Sequence, residues 1–270
     1  METFIKKVIT LIICLLSVTN IEAFALVPNN SVVNNNGISI TETEYQNLLN
    51  LGFTENEILN MTLTEFEKNK SLKGKIISQN TIYLDKENNI LNNNISTFGL
   101  QTGYIETAAK KMTTTIVSVN NKYRYKITLE WKQMPSTRSY DIIGIGIENN
   151  VKINSEVYFQ QNFCYSTNNC SSSIVNTVNS ISTGATSTFK LPSSTIVSLS
   201  SYLYFDVCKN TNFAITQLNA YGDYSHVVQS ISKANANKHS INRGGIVLDT
   251  SISNCYDSIT TSKAVWTGNW

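Results

Sequence analysis

Reactive side chains are scarce in this 270-residue chain. It has two histidines, His226 and His239, and it lacks the H-E-x-x-H, C-x-x-C, nucleophile-elbow, phosphate-loop and EF-hand patterns. A zinc site from both histidines and Asp223 is disfavoured, because a distant histidine pair is more often structural and a zinc site needs at least three protein ligands. We therefore expect no metal and no cofactor, and we favour a protein that is not an enzyme.

Carboxylates are the remaining candidates for catalysis. Asp141, Asp206 and Asp223 fall near the ends of expected strands, and His226 follows Asp223 closely in YGDYSH. Paired carboxylates hydrolyse glycosidic bonds, so a secreted polysaccharide hydrolase is one alternative function. Ser225 is not expected to be a nucleophile for His226, because adjacent residues on a strand point to opposite faces.

Long apolar runs are also missing. An uncharged run of eleven mostly apolar residues, 8–18, follows Lys6 and Lys7 and precedes the small-x-small pattern of residues 23–25. It is too short to span a bilayer, which needs about 20 apolar residues, and its flanks are typical of a signal peptide. We predict a secreted, extracellular protein without a transmembrane segment, cleaved near Ala25.

Charge of either sign is sparse and scattered. The chain has 21 Lys and Arg against 19 Asp and Glu, and residues 101–270 have 14 against 9. No basic cluster is interleaved with aromatics, which argues against nucleic-acid binding. A mildly basic body is compatible with an anionic wall polymer or a lipid surface, but the charges are scattered, and an ordinary solvated surface is the favoured explanation.

Cysteines are few, and their number suits disulfides. Removal of the leader takes away Cys14 and leaves Cys164, Cys170, Cys208 and Cys255. Four cysteines outside the cytosol allow two disulfides with three possible connectivities. We predict Cys164–Cys170, which closes a short loop, and Cys208–Cys255, which joins two strand-like segments; free buried thiols are the alternative.

The chain divides into segments of different composition. Residues 26–40 are rich in asparagine and are predicted to be a disordered linker. Residues 41–72 are predicted to be a small helical unit, and residues 73–100 a strand followed by a second Asn-rich linker. Residues 101–270 form the predicted main domain.

The helical unit is predicted from three capping-box spacings. Thr41, Thr54 and Thr62 are each followed three residues later by a glutamate, which is typical of a helix start. Gly52 is expected to end the first helix in the left-handed conformation. A unit this small is marginal alone, so we expect it to dock on the main domain or to serve another protein as a handle.

Strict alternation marks the main domain. Residues 123–131 alternate aromatic or aliphatic side chains with Arg124, Lys126, Thr128 and Glu130, which predicts a half-buried antiparallel strand. Further strands recur without long helical patterns between them. We predict a mainly β protein with an antiparallel β-sandwich of jelly-roll or immunoglobulin-like type. The other expected strands are 112–119, 140–147, 151–163, 187–191, 202–208, 214–220, 227–232, 245–248 and 264–270.

Residues 171–200 are unusual because half of them are Ser or Thr and Lys190 is their only charge. This segment resembles the insertion hairpin of aerolysin-like pore-forming toxins, so a β-pore-forming toxin is a second alternative function. Pro192 and the imperfect alternation oppose that interpretation. The favoured alternative is a pair of exposed strands joined at Thr183–Gly184.

Aromatic side chains are the candidates for ligand contacts. Tyr221, Tyr224, Trp266 and Trp270 lie in expected strands and turns, where exposed rings stack on sugars or peptides. A ring on a strand is more often part of the core, and both tryptophans become packing residues if the last strand is central.

Several motifs together resemble one group of bacterial proteins. They are LxxLGFTxxEIxNMT in the helical unit, WKxxPSTRSYDIIGI at 131–145, AYGDYSH at 220–226, and GGIVLDTSI with AxWTGNW near the end. The chain resembles secreted proteins of Gram-positive spore-forming bacteria that have no established activity, and the match covers most of the mature sequence. Our main hypothesis is a non-enzymatic extracellular protein that binds a cell-wall polymer, a glycan or another protein.

Overall fold

Strands dominate the computed structural model, which describes residues 31–86, 89–91, 108–167, 169–174 and 178–270. The predicted signal peptide and the second Asn-rich stretch, 92–100, lie outside the described residues. No helix within the described ranges has the length and apolar character needed to cross a membrane. The strands are β1 Ser31–Val33, β2 Ser39–Thr41, β3 Gly74–Leu84, β4 Lys110–Val119, β5 Lys122–Trp131, β6 Tyr140–Gly146, β7 Val151–Ile153, β8 Tyr158–Ser166, β9 Asn169–Ile174, β10 Val178–Ile181, β11 Gly184–Lys190, β12 Ser198–Lys209, β13 Gln217–Ser225, β14 His239–Asn242, β15 Gly245–Leu248 and β16 Thr260–Thr267, and the helices are α1 Glu42–Asn50, α2 Glu55–Leu59, α3 Leu63–Asn69 and α4 Lys233–Ala236, with a 3₁₀ turn at Ser253–Cys255.

Two antiparallel sheets face each other around one core. The larger sheet has the order β3-β4-β5-β12-β8-β9, with β7 beside the end of β12, and the smaller sheet has the order β10-β11-β6-β13-β16. Ile127 and Leu129 of the larger sheet share this core with Ile143 and Ile145 of the smaller one. The prediction of a mainly β, antiparallel protein is confirmed. The sheet already begins at β3, so the main domain starts before the predicted boundary at residue 101.

The first Asn-rich segment is ordered where the structure describes it, so the predicted disorder is wrong for residues 31–40. Strands β1 and β2 form a hairpin that packs beside the helical unit. The Asn34 side chain is buried, donates to the carbonyls of Ile58 and Met61, and accepts from the amide of Ile38. Asparagine amides here satisfy backbone groups at helix ends, a role that composition does not distinguish from a solvated linker.

The helical unit forms as predicted, with one informative exception. Thr41 and Thr54 make complete capping boxes, and Gly52 has φ +83° just after α1. Thr62 accepts from the amide of Glu65, but the Glu65 carboxylate turns away and accepts from the Tyr202 hydroxyl. The unit docks on the outer face of the larger sheet through an apolar cluster that includes Leu48, Leu51, Phe53, Ile58, Met61, Phe66, Val117, Tyr202 and Tyr204.

This docking corrects the prediction for β5. Its apolar face lies in the core, as the alternation predicts, but the opposite face is not solvated. Arg124, Lys126 and Thr128 are 3%, 2% and 4% exposed beneath the helical unit. The strand is therefore buried on both faces, because a second layer covers the charged side.

The outer face of the smaller sheet is covered by the chain between β13 and β16. Ile142 of β6 packs there against Ile241 and Ile246 of the β14–β15 hairpin and against Tyr256. The predicted strand at 227–232 is reduced to a single bridge between Val227 and Tyr256. Both outer faces of the sandwich thus carry an additional layer.

One of the two predicted disulfides is present. Cys164 and Cys170 oppose each other on β8 and β9 and are bonded. Cys208 and Cys255 are free, so the second predicted pairing is wrong. Cys208 lies on the larger sheet, whereas Cys255 packs on the outer face of the smaller sheet, and a whole sheet lies between them.

The hydroxyl-rich segment 171–200 is divided between both sheets. Strand β9 is an edge of the larger sheet, and β10 and β11 form a hairpin at the edge of the smaller one. The predicted turn at Thr183–Gly184 is confirmed, but only β10 is an exposed strand, because residues 184–189 are buried between β10 and β6. The pore-forming alternative stays a prediction, and the pairing of β11 with strands on both sides weighs against it.

Candidate functional site

The weak catalytic candidates separate into three places. Asp206 lies at the seam of the helical unit, where it accepts a hydrogen bond from the Arg124 Nε at 2.8 Å. Asp141 and Asp223 lie on adjacent strands but on opposite faces of the smaller sheet, since Asp223 pairs with Gly144, three residues from Asp141. These carboxylates therefore do not converge into the pair that a polysaccharide hydrolase requires.

Asp141 and His226 do meet, as part of a buried polar network. The His226 Nδ1 lies 3.1 Å and 3.2 Å from the two Asp141 oxygens, which also accept from the Tyr224 hydroxyl and, at 3.0 Å, from the Val227 amide. Asp141 is fully buried and His226 is 7% exposed, with its ring edge-on to Trp131. Every oxygen of the carboxylate thus has a partner.

A buried ion pair adjoins this network, and sequence patterns did not reveal it. The Lys110 Nζ lies 2.9 Å from the Asp257 Oδ2, and Asp257 also accepts from the His226 amide at 2.7 Å. The ammonium lies 5.0 Å from the centre of the Trp131 ring. Burial raises the pKa of Asp257, while the neighbouring Lys110 opposes that rise. Lys110 sits in an ordinary KK pair, which carries no signal of burial.

An Asp–His pair is the orienting half of a catalytic triad, and a triad also needs a nucleophile beside the ring. The His226 Nδ1 is directed at Asp141, and the adjacent serine, Ser225, does not face the ring. The Ser225 hydroxyl donates instead to the Asp257 carbonyl. The network therefore links β6, β13 and the chain around Asp257 at one end of the core. This linkage is a structural role.

Asp223 holds the β14–β15 hairpin against the smaller sheet. Its Oδ2 accepts from the Ile246 amide at 2.6 Å, and burial raises the pKa of its carboxyl to about 7. Gly245 has φ +121°, and a Cβ at this residue would lie 1.7 Å from the Asp223 Oδ2. Only glycine allows so close an approach, so this carboxylate is enclosed and has no access to a substrate.

His239 is likewise structural. Its Nε2 lies 3.0 Å from the Thr186 hydroxyl and its Nδ1 lies 3.0 Å from the Ala236 carbonyl. Burial lowers the pKa of its imidazole. Among the residues that the structure describes, no three His, Cys, Asp or Glu side chains are grouped as a metal site requires.

The four candidate binding aromatics have different positions. Tyr224 is fully buried in the core, so the expectation of an exposed ring is wrong there. Tyr221 is half-buried, with the Lys263 ammonium 5.1 Å from its ring centre. Trp266 and Trp270 are partly buried and both contact Tyr123, at ring-centre distances of 5.3 Å and 4.6 Å. Two of the four thus belong to one aromatic group at the β4–β5 end of the sandwich.

This aromatic group borders a cleft of about 630 Å³, which we call the lysine–tryptophan cleft. It forms where β3 begins, where β4 turns into β5, and where the chain passes beyond β16. The turn is tight because Asn120 adopts φ +46°, a left-handed conformation that asparagine tolerates better than most residues. The lining residues are Lys73, Gly74, Lys75, Ser118, Asn120, Asn121, Lys122, Tyr123 and Trp270.

The cleft is positively charged and open to solvent. Lys73, Lys75 and Lys122 are exposed, and none of the lining residues in the described part of the chain is Asp or Glu. A fourth lysine, Lys209, places its Nζ 5.7 Å from the centre of the Trp270 ring. These lysines lie in β3, β5 and β12 and, for Lys73, just before β3, so the fold concentrates charges that are scattered along the sequence.

An exposed aromatic residue lies near the segment that bonds to Trp270. Phe213 is 81% exposed, in the loop between β12 and β13. Two residues later, Ile215 exchanges two 3.0 Å backbone hydrogen bonds with Trp270. A single exposed apolar side chain is common on protein surfaces, so Phe213 alone does not mark a contact surface.

Comparisons of this chain with known protein families, with curated proteins and with solved structures find no match.

Proposed function

We propose that this protein is an extracellular, non-catalytic binding protein that holds an acidic polysaccharide, such as a charged cell-wall polymer, in the lysine–tryptophan cleft. One observation carries the proposal: three exposed lysines line a cleft with Trp270 and Tyr123, and no carboxylate side chain is among the described residues of that lining. Lysine ammonium groups bind carboxylates and phosphates as compact, mobile charges.

The aromatic residues favour a sugar polymer over a simple inorganic anion. The rings of Trp270 and Tyr123 meet at a steep interplanar angle of 88°, so they differ in orientation. Aromatic faces offer apolar area against which the C–H face of a pyranose ring packs. A cleft of about 630 Å³ lies within the usual range for ligand sites of about 300–1,000 Å³.

The enclosed state of the other candidates supports binding without catalysis. Asp141, Asp223 and His226 are each less than a tenth exposed and bond to neighbouring parts of the chain. The predicted signal peptide and the resemblance to secreted bacterial proteins support an extracellular site of action. A surface polymer outside the cell is a ligand of the required charge and size.

The proposal is tested by retention on acidic and neutral polysaccharides. We expect the protein to bind polygalacturonate and not dextran, and we expect the triple variant Lys73→Gln/Lys75→Gln/Lys122→Gln to lose this binding. The matched control Lys190→Gln/Lys233→Gln/Lys238→Gln removes the same charge from exposed positions outside the cleft. Equal loss of binding in both triple variants would mean that net charge, and not the cleft, causes binding, and would contradict the proposal. Equal binding of dextran and polygalacturonate would also contradict it.

A further inference from the structure

We infer that a second, smaller cavity, at the seam between α3 and the larger sheet, is a binding site for a neutral, hydroxyl-rich molecule of monosaccharide size. It does not depend on the proposed function, since it shares no residue with the lysine–tryptophan cleft. Its volume is about 280 Å³, close to the lower limit of about 300 Å³ for small-molecule sites. The residues that carry the inference are Lys68, Arg124, Ser155, Glu156, Tyr158 and Asp206.

Arg124 lies at this cavity with unused hydrogen-bonding capacity. It is 3% exposed, and its Nε and Nη2 donate to Asp206 at 2.8 Å and 3.5 Å, while its Nη1 donates to the Asn69 Oδ1 at 2.7 Å. A guanidinium has five N–H donors. Two of them therefore have no acceptor among the described residues, and a buried donor without a partner favours a ligand oxygen.

The plane of this guanidinium is fixed. Its central carbon lies 4.4 Å from the centre of the Tyr204 ring, and that ring is stacked in turn against Tyr158 at 5.3 Å. Both tyrosines line the cavity. Because stacking and Asp206 already hold the Arg124 guanidinium in place, ligand binding costs little side-chain conformational entropy there.

The charges at the cavity cancel. Two cations, Lys68 and Arg124, are each paired with an anion, Glu156 at 2.8 Å and Asp206 at 2.8 Å. A charged ligand would either have to displace the like-charged member of one pair or be repelled by it. A neutral diol avoids this cost, because each hydroxyl accepts from the Arg124 N–H groups and donates to the Asp206 carboxylate beside them.

The test is ligand-observed saturation-transfer NMR of the full chain with D-glucose, D-galactose, N-acetylglucosamine and myo-inositol, and with acetate as the charged probe. We expect transfer to at least one polyol and none to acetate. Transfer to acetate alone, or to no polyol, would overturn the inference.

Two variants locate the site. Ser155 is exposed at the cavity, so Ser155→Trp is expected to block it, while Ser230→Trp on another exposed segment is the matched control. Asp206→Asn keeps the shape of the side chain and removes the charged acceptor, which is expected to weaken binding about tenfold. Unchanged binding in Ser155→Trp would refute the site, and binding that survives Lys73→Gln/Lys75→Gln/Lys122→Gln separates it from the proposed function.

Discussion

Two basic regions of this protein show how the same residue types serve different ends. Beneath the helical unit, Lys126 and Arg124 are almost fully buried, and each is paired with a carboxylate, Glu57 and Asp206. In the lysine–tryptophan cleft, by contrast, Lys73, Lys75 and Lys122 are exposed, and the lining that the structure describes offers no carboxylate side chain. Compensated charge holds two layers together, whereas uncompensated charge is available to a ligand.

In the buried region, the Glu57 carboxylate has several hydrogen-bond donors at once. The Lys126 Nζ lies 2.8 Å and 2.7 Å from the two Glu57 oxygens, and the Thr128 hydroxyl donates to Glu57 at 2.8 Å. The same Glu57 carboxylate completes the capping box of α2 by accepting from the Thr54 amide. One side chain therefore links the start of a helix to the middle of β5.

Glu57→Ala is expected to have the largest effect on stability, because it removes the buried Glu57–Lys126 ion pair. It leaves Lys126 enclosed without its counter-charge, and losing one partner of a buried pair costs about 3–5 kcal/mol of unfolding free energy. Urea denaturation measures the change. Lys68→Ala is the control, because it breaks an exposed pair with Glu156 and is expected to leave the urea midpoint unchanged.

The double variant Glu57→Leu/Lys126→Met separates pairing from packing. Apolar replacement of both partners removes the uncompensated charge, so we expect most of the lost stability to return. A double variant as unstable as Glu57→Ala would show that the capping and packing of α2, and not the ion pair, hold the helical unit in place.

Glu65→Gln is expected to have a smaller effect that depends on pH. Glu65 is fully buried, its Oε2 accepts from the Tyr202 hydroxyl at 2.6 Å, and its Oε1 has no partner among the described residues. Burial raises the pKa of this carboxyl from 4.5 to about 8. The raised pKa means that folding takes up a proton between these two values, so the stabilisation is complete below pH 4.5 and is lost as pH rises through 8.

The stability of Glu65→Gln relative to the wild type should therefore increase from pH 5 to pH 8 and then level off. Urea midpoints at pH 5, 7 and 9 measure this difference. Asp223, whose pKa burial also raises, is present in both proteins, so its contribution cancels. Parallel curves for the two proteins would mean that Glu65 stays ionised beneath the helical unit.

The smallest effect on stability is expected in the cleft. Lys73→Gln/Lys75→Gln/Lys122→Gln removes exposed like charges without partners, so the urea midpoint should stay the same or rise slightly. A large loss of stability would show that these lysines have a structural role, and the contrast between the two basic regions would fail.

Local sequence patterns correctly predicted the features that depend on residues close together in the chain. The alternation at 123–131 identified the core-facing residues of β5, and the Thr-x-x-Glu spacings identified the helix starts. The close pair Cys164–Cys170 was also predictable, because adjacent strands bring it together. Trp266 and Trp270 were recognised as candidates, although their partner Tyr123 was assigned to the core strand.

The sequence could not predict which outer faces of the sheets are covered by other parts of the chain. Arg124 and Lys126 look solvent-exposed in the pattern of β5, yet the helical unit buries them. Lys73 and Lys122 are 49 positions apart in the chain and share a cleft only because β3, β4 and β5 are neighbours. Asparagine-rich residues 31–40 have few apolar side chains, and their order comes from the β1–β2 pairing, from burial of Ile38 and Ile40, and from side-chain hydrogen bonds to the helical unit.

The most direct test of the central claim is the affinity for polygalacturonate measured by calorimetry over a series of salt concentrations. Exposed charges are screened by salt, with a Debye length of about 8 Å at 0.15 M. We predict that wild-type affinity falls steeply as salt rises and that Lys73→Gln/Lys75→Gln/Lys122→Gln binds weakly at every concentration, while Lys190→Gln/Lys233→Gln/Lys238→Gln follows the wild type. A cleft variant that binds as tightly as the wild type, with the same salt dependence, would contradict the claim.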